Sequence, residues 1–278
     1  MQTSLSKKLS HIYLSVVPLV TAILGFGVGH ISYTIYLPVW IINVCLMITA
    51  AWVLGLNVVR NADAEKRELA LGAFFLIVPW ILVSIFFGFG PPPSTATEWT
   101  ATDVEQQVRY SILVLAGIFI VFGFAVVRDK LKKKGEHFYS QLGFVAILIF
   151  IPLFIINMIF WGYFLTAAFN ILAASGSEKM PEWYKPVRAL FSMISVVEVA
   201  LTYLATAAFA VSLNLAGLFN KIPARIYVAV SVLAFVIVLL STCCPEPFVT
   251  AGYAVSIPAI PFIMPYFIGV NLLRRSGN

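Results

Sequence analysis

Apolar stretches of roughly 20 residues recur along this chain, and the loops between them alternate, basic at one crossing and acidic or nearly uncharged at the next. Hydrocarbon cannot solvate a backbone amide, so each stretch must satisfy its own hydrogen bonds as a helix. This excludes most architectures and predicts an all-α, polytopic integral membrane protein of about eight transmembrane helices. Composition agrees: 61% of residues are hydrophobic and only 11% charged, whereas a soluble domain carries about a quarter charged residues.

The pattern places spans near residues 11–29, 35–59, 69–90, 108–127, 141–172, 188–218, 226–243 and 250–272. Together they consume most of the 278 residues, so a single membrane-embedded helical domain over 1–278 is expected. An even count puts both termini on one side. With the N-terminus inside, 14 of the 18 Lys and Arg residues fall on the cytoplasmic side, in groups such as Arg128–Lys134. Only Arg109, Lys179, Lys185 and Arg188 remain outside. That asymmetry predicts cytoplasmic termini, and the short loops and lack of a soluble domain suit a cytoplasmic (plasma) membrane. The net charge of +6 then belongs to lipid headgroups, and nucleic acid is not expected as a partner. The first apolar stretch is longer than a signal-peptide core and reads as a retained span.

Local signals refine the picture. Thr102 and Glu105 have capping-box spacing, which predicts the start of the fourth helix. Trp40, Trp99, Trp161 and Trp183 fall near the outer boundary, with Tyr13, Tyr139 and Tyr227 near the inner one, as interfacial anchors do. Met180–Pro186 suits a single interfacial turn. Pro258, Pro261 and Pro265 lack amide hydrogens, so the last span should bend or break. Gly25 and Gly29 form a small-residue packing step. The Thr-Ala-Ala-aromatic strings at 49–52, 166–169 and 206–209 hint at duplication, but the middle one runs in the opposite direction.

The costliest residue is Glu198, the sole acidic side chain placed well inside a span. A carboxylate there is unfavourable by several kcal/mol unless protonated, paired or hydrated. At 100° per residue, Ser192, Ser195, Glu198, Thr202 and Thr206 share one arc of the sixth helix, which should face protein or water. At 1.5 Å per residue, Glu198 lies roughly 15 Å inward from Arg188, and Asn43, Ser84, Asn157 and Ser256 fall at depths of roughly 8–15 Å in other spans. If these groups converge, they form a polar cavity in the outer half of the bilayer.

Several chemistries are disfavoured. Cys45, Cys243 and Cys244 lack His or Asp neighbours for a metal site. No span holds an interior Lys for a Schiff base, and His11 and His30 lie at opposite ends of one span. Neither paired intramembrane acids nor a H-E-x-x-H step occurs. No cofactor is expected, and an enzyme would have only Glu198 as acid or base. The expectation is a small transporter or membrane binding protein. Its substrate or proton site would comprise Glu198, Asn157, Asn43, Ser195 and Thr202, with Glu198 coupling protons or pairing a cation. The alternative is a non-transporting assembly or sensory subunit, in which the same polar groups join helices.

Overall fold

A computed structural model describes residues 2–61, 63–93, 95–175 and 181–277. The described residues are helical with no strand. Seven helices are long and apolar enough to cross a membrane: α1 (Gln2–Gly27), α2 (Tyr33–Leu56), α3 (Ala64–Phe89), α4 (Asp103–Lys133), α5 (Phe138–Ala174), α6 (Tyr184–Leu215) and α7 (Lys221–Leu240). They are followed by a helix pair, α8 (Phe248–Ser256) and α9 (Ile260–Ser276), bent by 65° at the intervening break, the form of a broken span or a re-entrant loop. Pro258 lies in that break, and Ala259 adopts a left-handed conformation with φ 88°. The proline-rich sequence thus breaks the last apolar stretch. The predicted Met180–Pro186 turn falls partly outside the described residues, as does Lys179.

The centre of the bundle is built by α3, α4 and α9. On α3, Leu76, Ile77 and Trp80 are buried in one apolar cluster with Phe124 and Ile120 of α4 and Tyr266 and Ile268 of α9. Small residues let the backbones approach, as membrane helix packing requires: a side chain at Gly269 would meet the Ala73 carbonyl at 2.6 Å. The Tyr266 hydroxyl donates to the Leu14 carbonyl at 2.6 Å, joining α9 to α1. Helices α5, α6 and α7 pack in succession on one flank, with Phe160 and Phe191 stacked at 3.8 Å. On the other flank, α1 and α2 expose apolar side chains such as Ile23 and Ile42 to the surroundings that seven apolar helices require, a lipid bilayer.

Both termini lie at one end of the bundle, where Lys7 donates to the Gly277 carbonyl. This terminal end carries ion pairs of Glu65 with Lys130 and of Glu68 with Lys133, the latter at 2.7 Å. Here α2 contains a π-helical turn at Trp52–Leu56. Gly55 lies so close to α9 that an added Cβ would sit 2.0 Å from the Leu273 carbonyl.

Between α4 and α5, Glu136 is 8% exposed. Its carboxylate accepts from the Tyr139 amide at 2.8 Å, the Ser140 amide at 3.1 Å and the Ser212 hydroxyl of α6. The residue therefore caps the first turn of α5 and clasps that turn to α6. Burial works against its charge, but these hydrogen bonds outweigh burial and hold the carboxyl below its usual range.

At the opposite, distal end, two expectations need correction. The capping box forms at Thr95 and Glu98, with bonds of 3.2 and 3.4 Å, and starts a separate short helix, Ala96–Ala101. Thr102 does stand at the N-cap of α4, where the sequence placed the helix start, but its side chain does not cap it; its hydroxyl donates to the Glu98 carbonyl at 2.9 Å, and Glu105 turns to His30 at 2.8 Å. Trp99 is buried, not an interfacial anchor. Its indole N–H donates to Thr166 at 2.9 Å, and its ring packs on Tyr110 and Phe169. Burying that ring explains why the first of the two Thr-x-x-Glu sequences nucleates the short helix.

Candidate functional site

Two polar centres lie within the bundle. The first joins α5 to α6. Glu198 is 3% exposed, and its Oε1 accepts from Asn157 Nδ2 at 2.8 Å. Asn157 Oδ1 in turn accepts from Trp161 Nε1 at 2.9 Å. Trp161 belongs to a π-helical turn, Phe160–Phe164, inside α5; such turns often occur at functional sites. Glu198 Oε2 is buried and has no hydrogen-bond partner among the described residues.

The sequence-derived site residues divide between separate places. Asn157 and Glu198 meet directly. Thr202 is buried beside them, but its hydroxyl donates to the Glu198 backbone carbonyl at 2.9 Å, within its own helix. Ser195 is half-buried and has no bond to Glu198 or Asn157 among the described residues. Asn43 belongs to another group: it accepts from the Tyr13 hydroxyl at 2.7 Å and donates to Ser84 at 3.1 Å, tying α1, α2 and α3 together.

The second centre surrounds Arg109, which charge counting assigns to topology. Arg109 is 5% exposed in the second turn of α4. It donates to the Gly90 carbonyl at 2.9 Å and the Phe89 carbonyl at 3.2 Å, and lies 3.6 Å from Glu105. Its guanidinium also lies over the Phe89 and Phe86 rings, 5.3 and 5.7 Å from their centroids. Gly90 makes this arrangement possible: its φ is +64°, and a Cβ there would meet Gly29 at 2.7 Å.

Arg109 borders a partly open cavity of about 100 Å³ lined by α1, α3, α4 and the α8–α9 break. Its wall is predominantly apolar, with Val83, Phe86 and Leu113 among the lining side chains. None of the five site residues read from the sequence lines it. Two of the lining residues, Arg109 and Trp80, each also hold a donor, Nε and Nε1, that is buried away from the void and lacks a partner among the described residues. The wall also includes Ile257–Ile260, so the α8–α9 break is part of the site.

The α6 and α8–α9 elements are physically joined. One turn from Glu198, the Tyr203 hydroxyl donates at 2.8 Å to the Val255 carbonyl, near the end of α8. Val199 and Tyr203 also share an apolar cluster with Ala234 and Val238 of α7, against which Val255 packs. A change in the position of α6 therefore bears on the hinge bordering the cavity. The signal for Arg109 in the sequence was its place inside an apolar helix, where a buried charge needs partners.

These features define an all-helical, multi-pass membrane protein with a bent final helix pair and a small, partly open cavity beside the bend. No protein-family model, curated protein or solved structure matches the chain.

Proposed function

We propose that this protein is a small-molecule transporter or membrane binding protein, with cytoplasmic termini, a ligand site in the distal cavity and Glu198 as its proton-responsive group. The carrying observation is that the hinge of the bent helix pair lines the cavity. Broken helices at substrate sites are a recurrent transporter device, because motion at the break alters access. The Tyr203–Val255 bond supplies the route from the Glu198 helix to that hinge. A change of charge on Glu198 alters the balance of its contacts with Asn157, since an ionised buried carboxylate needs more donors than the one present.

The assembly-subunit reading is favoured by one observation: Glu198 and Asn157 lie outside the wall of this cavity. Accessibility measurements separate the readings. Thr21, which lines the cavity, is changed to Cys in a protein whose Cys45, Cys243 and Cys244 are replaced, and a membrane-impermeant thiol reagent is applied from each side. Transport predicts labelling from the non-cytoplasmic side; because the thiolate fraction itself rises with pH, rates are normalised to those of a fully exposed reference thiol, and the normalised rate should change several-fold between pH 5.5 and pH 8, with no such change in Glu198→Gln. Histidine is itself pH-responsive, and His30 contacts Glu105 nearby; comparison with Glu198→Gln removes that contribution. Equal normalised rates at both pH values in both proteins would refute the coupling. Labelling only from the cytoplasmic side would reverse the proposed orientation.

A further inference from the structure

Two cysteines at the distal end of α7 form a cluster that neither the cavity nor the Glu198 centre uses. Pro245 has no amide hydrogen and disfavours helix in the residue before it, so the chain leaves α7 through a tight turn at Ser241–Cys244. There the Leu240 carbonyl accepts from the amides of both Cys243, at 3.1 Å, and Cys244, at 2.8 Å. Neighbouring side chains point to opposite faces of a strand, but in this turn the two thiols converge, with their Sγ atoms 3.8 Å apart. Cys243 is exposed and Cys244 half-buried, so the pair is open to a ligand from outside the bundle.

Geometry favours a shared ion over a disulfide. The two residues are joined by a trans peptide bond, which holds their Cα atoms about 3.8 Å apart, whereas disulfides usually span about 4.4–6.8 Å. An ion bonded to both sulfurs at about 2.3 Å, a usual metal–thiolate length, would subtend an S–ion–S angle of about 110° at the observed separation. That angle needs little rearrangement of either side chain.

Ligand count then narrows the ion. No third His, Cys, Asp or Glu joins the pair among the described residues. The nearby Glu246 uses both carboxylate oxygens on Thr250, accepting from its amide at 3.2 Å and its hydroxyl at 3.0 Å. Zinc takes three or four protein ligands, and calcium and magnesium take oxygen. The count that disfavours a tetrahedral zinc site is the one that suits a soft cation of low coordination number, which thiolates select. We propose that Cys243 and Cys244 form a bidentate dithiolate site for monovalent copper, at the end of the bundle opposite the termini.

The test uses the full chain in lipid nanodiscs, reduced and kept free of oxygen, with Cu⁺ supplied from its coloured bicinchoninate complex. One ion per chain should pass to the protein. Cys243→Ser and Cys244→Ser should each weaken binding at least about a hundredfold, since losing one of two linked ligands forfeits the gain from bivalency; Cys45→Ser should leave it unchanged. Metal replaces thiol protons, so the apparent affinity should rise with pH. A roughly hundredfold excess of Zn²⁺ should not displace the copper, because zinc lacks its remaining ligands here. X-ray absorption of the copper-loaded wild type, which needs no variant, should show two sulfurs in the first shell.

No copper uptake by the folded wild type, equal uptake by both serine variants, a first shell of nitrogen or oxygen, or displacement by zinc would each overturn the proposal. So would recovery of the pair as a disulfide, two hydrogens lighter by mass spectrometry, from membranes alkylated before lysis, which would assign the thiols to redox chemistry. The cavity-labelling result is independent of these outcomes, since the protein used for it lacks both cysteines.

Discussion

Replacing Glu136 with Ala removes an acceptor used by three donors: the Tyr139 amide, the Ser140 amide and the Ser212 hydroxyl. The first two belong to the opening turn of α5, where a lost cap is worth about 0.5–2 kcal/mol. The third crosses to α6, and a hydrogen bond to a charged group contributes about 1.5–3 kcal/mol. Allowing for non-additivity among neighbours, the expected loss at pH 7 is about 2–4 kcal/mol. Because folding holds this carboxyl below its ordinary value of 4.5, its contribution is complete above that value and is lost as pH falls through the lower folded value. Chemical unfolding in mixed micelles, followed by circular dichroism at pH 7, 5 and 3.5, should show the wild-type advantage shrinking at the lowest pH. Ser212→Ala should recover only the interhelical part, and the double variant should be less destabilised than the sum of the two single changes. A Glu136→Ala protein within about 0.5 kcal/mol of wild type, the range of a neutral surface change, would refute the clasp. So would a difference that did not depend on pH.

Three further outcomes follow from the geometry. Gly90→Ala combines a positive φ with a 2.7 Å approach to Gly29 and should destabilise by at least about 1 kcal/mol, readable as a lowered thermal midpoint. Trp99→Phe keeps an aromatic ring but removes the donor to Thr166; a loss of about 0.5–1.5 kcal/mol is expected for one hydrogen bond, measured by the same unfolding assay. Asn157→Ala leaves both Glu198 Oε1 and Trp161 Nε1 without their partner, so it should cost about 1–3 kcal/mol. Trp161 fluorescence in a protein lacking the other tryptophans should shift with the same change.

The helices were legible because their length is imposed by the bilayer, and the break in the last apolar stretch because Pro258 cannot donate an amide hydrogen. Depth along an axis was legible too, which is why Asn157 could be placed beside Glu198. Rotation about an axis and the identity of a helix's neighbours are different quantities. Asn43 has a depth comparable to Asn157 in the sequence reading, yet α2 packs with α1 and α3, so its amide meets Tyr13 and Ser84. Arg109 was obscured by charge counting, which treats every distal cation as part of an orientation signal. Glu136 was hidden beside the basic run Arg128–Lys134. Its role depends on Ser212, 76 residues later, and no local pattern identifies that partner. Of the two Thr-x-x-Glu matches, the structure uses Thr95 because Trp99 can then bury its ring, a tertiary effect beyond the reach of the motif.

The seating of α9 against α3 has a consequence for biosynthesis. Gly269 meets the backbone of Ala73 across about 200 residues of chain, which at about 5–20 residues per second take roughly 10–40 s to synthesise. Throughout that interval, the face of α3 bearing Leu76, Ile77 and Trp80 is already in the membrane without its final neighbour. Nascent α3 must therefore be sheltered by lipid or by the insertion machinery until α9 has been made, and the bundle's centre closes only after that delay.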